Sequence, residues 1–120
     1  MKKILIVEDE KDIAQLYAES FESDGHDVKV CYDGREALKV VLEFKPDLII
    51  LDIQLPGMSG IEVLKILKQD QLTSGIKIVM LTNVSDVNFV NLGFAEKCDA
   101  YFIKNIYTIP QLKEEIKQYL

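Results

Sequence analysis

The 120-residue sequence contains no tryptophan, only one histidine and only two cysteines, and its apolar runs are short. None approaches the roughly 20 apolar residues of a membrane-spanning helix, and Glu8 ends the run ILIV before a secretory core could form. These absences predict a cytoplasmic protein that does not enter a membrane. Cys31 and Cys98 lack the spacing of metal ligands, which favours buried structural thiols.

An excess of basic charge is also missing. The sequence has 14 lysines and arginines against 20 acidic residues, which gives a formal net charge of -6. Such a chain repels a polyanion unless its basic residues cluster, and no cluster is visible, so we expect no direct binding of nucleic acid. The length predicts a single domain over residues 1–120, without a linker and with nothing left over for an output domain.

The sequence does contain five short apolar runs, separated by segments with helical periodicity. The runs are residues 4–7, 28–32, 48–51, 76–81 and 100–103. The runs at 4–7 and 48–51 do not alternate between polar and apolar residues, which indicates strands covered on both faces in a parallel sheet. We therefore predict an α/β fold: a five-stranded parallel sheet of order 2-1-3-4-5, doubly wound with five helices, as in flavodoxin-like proteins.

The predicted helices have apolar faces of unequal strength. The residues expected to face the sheet are Ile13, Leu16, Tyr17, Ser20 and Phe21, then Ala37, Leu38, Val41 and Leu42, then Val63, Leu64 and Leu67, and finally Leu112, Ile116 and Tyr119. Thr108 and Pro110 suit the start of the last helix. The fourth helix is weak because Asn88, Asn91 and Gly93 lie inside it, so we expect a mobile element there.

Polar residues follow the predicted strands at their carboxyl ends, where open parallel sheets bind ligands. These residues are Glu8, Asp9, Glu10, Asp52, Thr82 and Lys104. If the strands are neighbours about 4.8 Å apart, the carboxylates of Glu8, Asp9 and Asp52 form a cluster of like charges that needs a counter-ion. Mg²⁺ suits this cluster, with Asp9 and Asp52 as direct ligands and Glu8 bound through water.

A carboxylate can also attack phosphorus and form an acyl phosphate, provided that cationic groups neutralise the transferring oxygens. Asp52 is the candidate nucleophile. Lys104 and Thr82 are the candidates for contacting the phosphoryl oxygens.

Four motifs together resemble the receiver domain of two-component signalling from end to end. They are ILIVEDE, with its acidic pair, PDLIILDIQLPGMSGIEVL around the acceptor, IKIVMLT, which ends in a hydroxyl, and AYFIK, which ends in lysine. The resemblance implies a phosphorylation switch, not a turnover enzyme, in which Asp52 accepts phosphoryl from a histidine kinase or histidine phosphotransfer protein. It also implies that Asp9, Asp52 and the backbone carbonyl of Gln54 hold Mg²⁺, with Mn²⁺ able to substitute, and that Thr82 and Lys104 contact the phosphoryl group.

The resemblance further implies how the signal leaves the site. Thr82 moves toward the phosphate and Tyr101 turns inward, which changes the surface formed by the fourth helix, fifth strand and fifth helix. A downstream protein or output domain reads that surface, and the domain is expected to be a monomer or a dimer that forms on phosphorylation.

The sequence departs from the family at several positions. Asn105 follows Lys104 where proline is usual, and since a cis peptide before a residue other than proline costs about 2.5 to 4 kcal/mol, we expect a trans bond. Asn83 stands where a small residue is usual. Gln54 and Val84 occupy positions that tune dephosphorylation, so the lifetime of the acyl phosphate stays open.

Three other functions compete with this interpretation. A pseudo-receiver would be expected to lack one of Asp9, Asp52, Thr82 or Lys104, and all four are present. A phosphatase with an aspartyl-phosphate intermediate commonly has an acid two residues after the nucleophile, where this chain has Gln54. A flavodoxin-type binder would have a Ser, Thr and Gly-rich phosphate loop after the first strand, where this chain has acids.

Overall fold

The computed structural model describes residues 1–120, in which five strands and five α-helices alternate. The strands are β1 (Lys3–Val7), β2 (Asp27–Cys31), β3 (Leu48–Leu51), β4 (Lys77–Thr82) and β5 (Ala100–Ile103). The helices are α1 (Lys11–Glu22), α2 (Gly34–Phe44), α3 (Gly60–Gln69), α4 (Val87–Ala95) and α5 (Ile109–Ile116), with short 3-10 helices at Lys104–Ile106 and Lys117–Tyr119. None of the helices combines the length and the apolar character needed to cross a membrane.

The five strands form one parallel sheet in the order β2-β1-β3-β4-β5, which confirms the predicted topology. Val7 of β1 pairs with Leu51 of β3, and Leu51 pairs in turn with Met80 of β4. Thr82 pairs with Ile103 of β5. This register brings the carboxyl ends of β1, β3, β4 and β5 to one edge of the sheet, where the polar residues follow.

Side chains of each central strand alternate between two apolar layers, because successive residues of a strand point to opposite faces. Leu5 and Val7 pack with α2 and α3, whereas Ile4 and Ile6 pack with α1 and α5. Both layers are buried, which explains why β3 and residues 4–7 of β1 are apolar at successive positions rather than at alternate ones.

Every α-helix except α1 starts after a residue whose side chain accepts a hydrogen bond from a free backbone N–H group. The Asp33 side chain accepts a hydrogen bond from the Glu36 N–H at 2.7 Å and so caps α2. Thr108 and Gln111 form a capping box at the start of α5, with Pro110 in its first turn, as the sequence predicts.

Two predicted core positions are wrong. Leu16 is 52% exposed and Leu42 is 54% exposed, although the helical pattern assigned both to buried faces. In α1 the fully buried stripe is instead Ala14, Tyr17, Ala18 and Phe21, at the spacing of one helix face, and Leu16 lies outside it. Apolar character alone therefore misplaced the stripe, because small alanines form part of the actual contact with the sheet.

The boundaries of two strands also differ from the predicted runs. Tyr32 lies beyond β2 and is exposed, while β4 begins after Ile76 and extends to Thr82. Other expectations are confirmed: both cysteines are buried, and the chain contains no cis peptide bond, so the bond between Lys104 and Asn105 is trans.

Helix α4 packs poorly compared with the other helices. Gly93 is its only buried residue, whereas α1 buries four residues and α3 buries five. The large apolar side chains that α4 leaves exposed are Val87, Phe89, Leu92 and Phe94. Little burial therefore stabilises this helix against local opening.

We predict that amides of α4 exchange hydrogen for deuterium faster than those of α1 and α3 in the unphosphorylated protein, because fewer buried contacts hold the helix. Exchange measured residue by residue in one sample provides the test, with α1 and α3 as internal controls. Equal protection in the three helices would contradict the prediction.

Candidate functional site

Two acids are buried side by side at the carboxyl edge of the sheet. Glu8 directly follows β1 and Asp52 directly follows β3, and the pairing of Val7 with Leu51 places them next to each other. Glu8 is 2% exposed and Asp52 is 5% exposed, whereas Asp9 is exposed at the rim. Carboxylate oxygens of the three residues lie within 4.8 Å of one another, so the predicted acidic cluster is present.

Lys104 supplies the positive charge that these buried acids need. Its Nζ donates a hydrogen bond to Asp52 Oδ2 at 2.8 Å and another to Glu8 Oε1, and its own side chain is largely buried. The residue stands at the start of the 3-10 helix that follows β5. Burying unpaired charges is costly, so this shared ammonium group is what allows two carboxylates to stay inside the domain.

The second oxygen of each acid is held by the backbone. Glu8 Oε2 accepts a hydrogen bond from the Glu10 N–H at 3.1 Å, and Asp52 Oδ1 accepts one from the Gln54 N–H at 3.2 Å. Each carboxylate is therefore oriented at both ends, by Lys104 and by the turn that follows its own strand. The second hydrogen bond also places the backbone of Gln54 at the edge of the site.

Burial and charge shift the acid–base behaviour of the site. Burial raises the pKa of Glu8 from its ordinary 4.5 to about 6, although the hydrogen bonds from Lys104 and Glu10 oppose this shift. Burial by itself would lower the pKa of Lys104, but its hydrogen bonds to Asp52 and Glu8 outweigh that effect and raise it. Lys104 is thus charged at neutral pH.

Thr82 is fully buried at the end of β4, on the strand next to β3. Its Oγ1 accepts a hydrogen bond from the Val84 N–H at 3.3 Å and makes no hydrogen bond with Asp52 or Lys104. The sequence predicted its place at the strand end. The structure adds that its hydroxyl is held by the segment leading to α4.

Tyr101 is half-buried on β5 and reaches the same segment. Its hydroxyl donates a hydrogen bond to the Val84 carbonyl at 2.6 Å, and burial raises the pKa of the phenol to about 12. The peptide groups of Val84 thus join Thr82 to Tyr101, a link that sequence analysis missed because it uses backbone atoms. The ring also lies beside Gly93 of α4, where a Cβ would come within 3.2 Å of Tyr101 Cδ2.

This arrangement has counterparts in known proteins. Residues 4–117 match the family described as the response regulator receiver domain. The chain belongs to that family. It is a receiver domain of two-component response regulators, for which phosphorylation is typical, and the family is a signalling switch rather than a conventional enzyme.

Two relatives and one solved structure show the extent of the likeness. The DNA-binding response regulator MtrA of Mycobacterium tuberculosis is 41% identical over 103 residues, which cover 86% of this chain and 44% of MtrA. The polar-differentiation response regulator DivK of Brucella anthropi is 37% identical over 124 residues, covering 99% of this chain and 96% of DivK. The receiver domain thus spans less than half of MtrA and nearly all of DivK.

The likeness extends to three dimensions. The chemotaxis response regulator CheY4 of Vibrio cholerae superposes with a TM-score of 0.91 at 28% identity, covering 100% of this chain and 99% of CheY4. The predicted flavodoxin-like receiver fold is therefore confirmed.

Receiver domains bind Mg²⁺ at an acidic pocket, and the residues of this chain fit such an ion. Three carboxylates meet at one place, and hard divalent cations prefer oxygen ligands. Lys104 provides one positive charge for the three acids, which leaves a net negative charge for a cation to balance.

We predict that the buried Glu8 makes the metal-free protein less stable as pH rises. The folded pKa of about 6 lies above the ordinary 4.5, so the folded state holds this proton more tightly. The stability that protonated Glu8 contributes is fully present below about pH 4.5 and is lost as pH rises through about 6. The free energy of unfolding falls by about 2 kcal/mol in all over this range.

Urea unfolding of the wild-type protein and of Glu8→Gln, with a chelator present, measures this effect. Glutamine is neutral and similar in shape, so its stability relative to wild type should increase between pH 4.5 and 6. A constant difference between the two proteins over this interval would show that the Glu8 pKa is not raised.

Proposed function

We propose that this receiver domain accepts a phosphoryl group on Asp52 from a histidine kinase or a histidine phosphotransfer protein. The observation that carries the proposal is the position of Asp52. Its carboxylate is buried, its Oδ2 lies 2.8 Å from Lys104 Nζ, and it belongs to the acidic cluster. Asp52 is the cluster acid that directly follows the central strand β3. It combines a fixed nucleophilic oxygen with an adjacent cation.

The chemistry requires one bond to form and one to break. An oxygen of Asp52 forms the P–O bond as the P–N bond to the donor imidazole breaks, and the departing nitrogen takes up a proton. Lys104 then pairs with a phosphoryl oxygen, and the Thr82 hydroxyl leaves the Val84 N–H to donate to another. These contacts stabilise negative charge on the transferring phosphoryl group. In phosphoryl transfer, catalysis comes mainly from such electrostatic stabilisation and from positioning.

In the proposed site Asp9, Asp52 and the Gln54 carbonyl are direct ligands of Mg²⁺, and Glu8 binds through water. The bound ion would neutralise negative charge on the phosphoryl oxygens and on the acids. Mn²⁺ should substitute, since it takes the same oxygen ligands. The exposed Asp9 leaves this side of the cluster accessible to an ion, while Lys104 occupies the buried side.

The proposed output surface consists of α4, β5 and α5. Tyr101 on β5 contacts the segment before α4 through Val84, so a movement of Thr82 toward the phosphate would disturb both. The exposed apolar side chains of α4, such as Phe89 and Phe94, suit contact with a downstream protein or output domain. We propose residues 1–120 as one receiver domain that acts in the cytoplasm, binds no nucleic acid itself, and is a monomer or a phosphorylation-dependent dimer.

We propose the phosphorylation switch over a small-molecule binder and over a turnover enzyme. One groove, with a volume of about 460 Å³, lies at the opposite end of the sheet, where Pro46 precedes β3 and Ile76 precedes β4. Another, of about 430 Å³, is lined mainly by Gly57, Met58 and residues of α3. Neither groove shares a residue with the acidic cluster, so a small molecule bound in either would not use the carboxylate of Asp52. We propose a switch that is phosphorylated once per signal, not an enzyme with turnover, because the side chain at position 54 is an amide.

We predict that Asp52→Asn abolishes the response to beryllofluoride, a mimic of an acyl phosphate. With Mg²⁺ and beryllofluoride, amide resonances near Asp52, Thr82 and Tyr101 should shift in the wild-type protein and stay unchanged in the variant. The matched control is Asp27→Asn, an exposed acid at the other end of the sheet, which should respond as wild type does. A silent wild-type spectrum would favour a pseudo-receiver.

We also predict that Asp9→Asn weakens Mg²⁺ binding by at least about tenfold, because the variant loses a direct ligand. The free energy of unfolding in chelator should change by less than about 0.5 kcal/mol, since Asp9 is exposed. Calorimetric titration measures the affinity, and Asp12→Asn in the first turn of α1 controls for charge alone. Equal losses in the two variants would argue against ligation by Asp9.

A further inference from the structure

The loop between β3 and α3, residues 53–59, lies directly against the first residue of α2. Gly34 is buried there, and a Cβ at that position would lie 2.3 Å from the Met58 carbonyl oxygen. The same Cβ would come within 3.0 Å of Met58 Cβ and of Val63 Cγ2. No side chain fits at this contact, because a packed interior has no room to absorb such an overlap.

The same loop contains Gln54 and is fixed at both ends. At its start the Gln54 N–H donates to Asp52 Oδ1, and at its end the Gly60 N–H donates to the Ile53 carbonyl at 2.8 Å. Ser59 and Glu62 form a capping box that holds the loop on α3. These hydrogen bonds resist movement at both ends of the loop, so a displacement at Met58 falls mainly on the residues between them.

Helix α2 is also unable to retreat easily from the loop. Asp33 caps its first turn, and Ala37 and Val41 in the following turns are buried in the core between α2, α3 and the sheet. The overlap created by a side chain at position 34 would thus be taken up mainly by the loop. Gly34 has no left-handed backbone angle, so only the close contact, not its conformation, calls for glycine.

We propose that Gly34 is a positioning residue for the metal site, because its missing side chain lets α2 pack against the 53–59 loop, whose Gln54 N–H is bonded to Asp52. The proposal rests on the proposed function, in which the Gln54 carbonyl binds Mg²⁺. Gly34 contacts neither the ion nor the phosphoryl group and acts through Met58. The sequence offers no signal for this role, since Gly34 lies 20 positions before Gln54 and far from every candidate ligand.

The test compares Gly34→Ala with wild type by calorimetric titration with Mg²⁺ alone. The affinity of the variant should fall by about tenfold or more, as when a supporting group behind a metal ligand is disturbed. Gly75→Ala is the matched control, because a Cβ at Gly75 meets nothing within 4 Å. It should bind Mg²⁺ as wild type does. A folded Gly34→Ala protein with wild-type affinity would overturn the proposal.

A second measurement uses the wild-type protein and does not depend on the variant folding. When Mg²⁺ is titrated, the amide resonances of Gly34 and Arg35 should shift with the same midpoint as those of residues 54–58. Silence at Gly34 and Arg35 while the loop responds would overturn this proposal and leave the proposed function intact. No Mg²⁺ response anywhere in the wild-type protein would overturn both.

Discussion

The ammonium group of Lys104, shared between Glu8 and Asp52, is the interaction on which the rest of this structure depends. Its partners lie 96 and 52 positions away in the sequence, so the contact forms only when β1, β3 and β5 are assembled in one sheet. Two carboxylates without a cation would not remain buried in ionised form. The ion pair thus links correct folding of the sheet to the existence of the site.

The same interaction leaves the site with a net negative charge. Lys104 occupies one oxygen of each buried acid, and backbone N–H groups occupy the others. With Asp9 nearby, the cluster still carries more negative than positive charge, which attracts a divalent cation but would repel an isolated phosphate. A phosphoryl group therefore suits the site better with a bound cation than without one.

The family match and the likeness to DivK identify the family, while the contacts around Val84 join β4 and β5 to the segment before α4. Thr82 binds the N–H of Val84, and Tyr101 binds the carbonyl of the same residue. Helix α4 follows directly and buries only Gly93. A weakly packed helix is easily shifted, since few contacts must break, and this one lies next to Val84, whose N–H and carbonyl are both hydrogen-bonded.

The sequence by itself determined the order of strands and helices, the parallel sheet and the group of polar residues at its carboxyl edge. It could do so because residues 4–7 and 48–51 are apolar without interruption and because parallel strands align their ends, which brings Glu8, Asp52 and Thr82 to one edge by topology alone. Only the tertiary structure decided that Leu16 and Leu42 face outward, that Val84 joins Thr82 to Tyr101, and that Gly34 lies directly against Met58. These features arise from backbone atoms and close packing between distant segments, which leave no periodic pattern in the sequence.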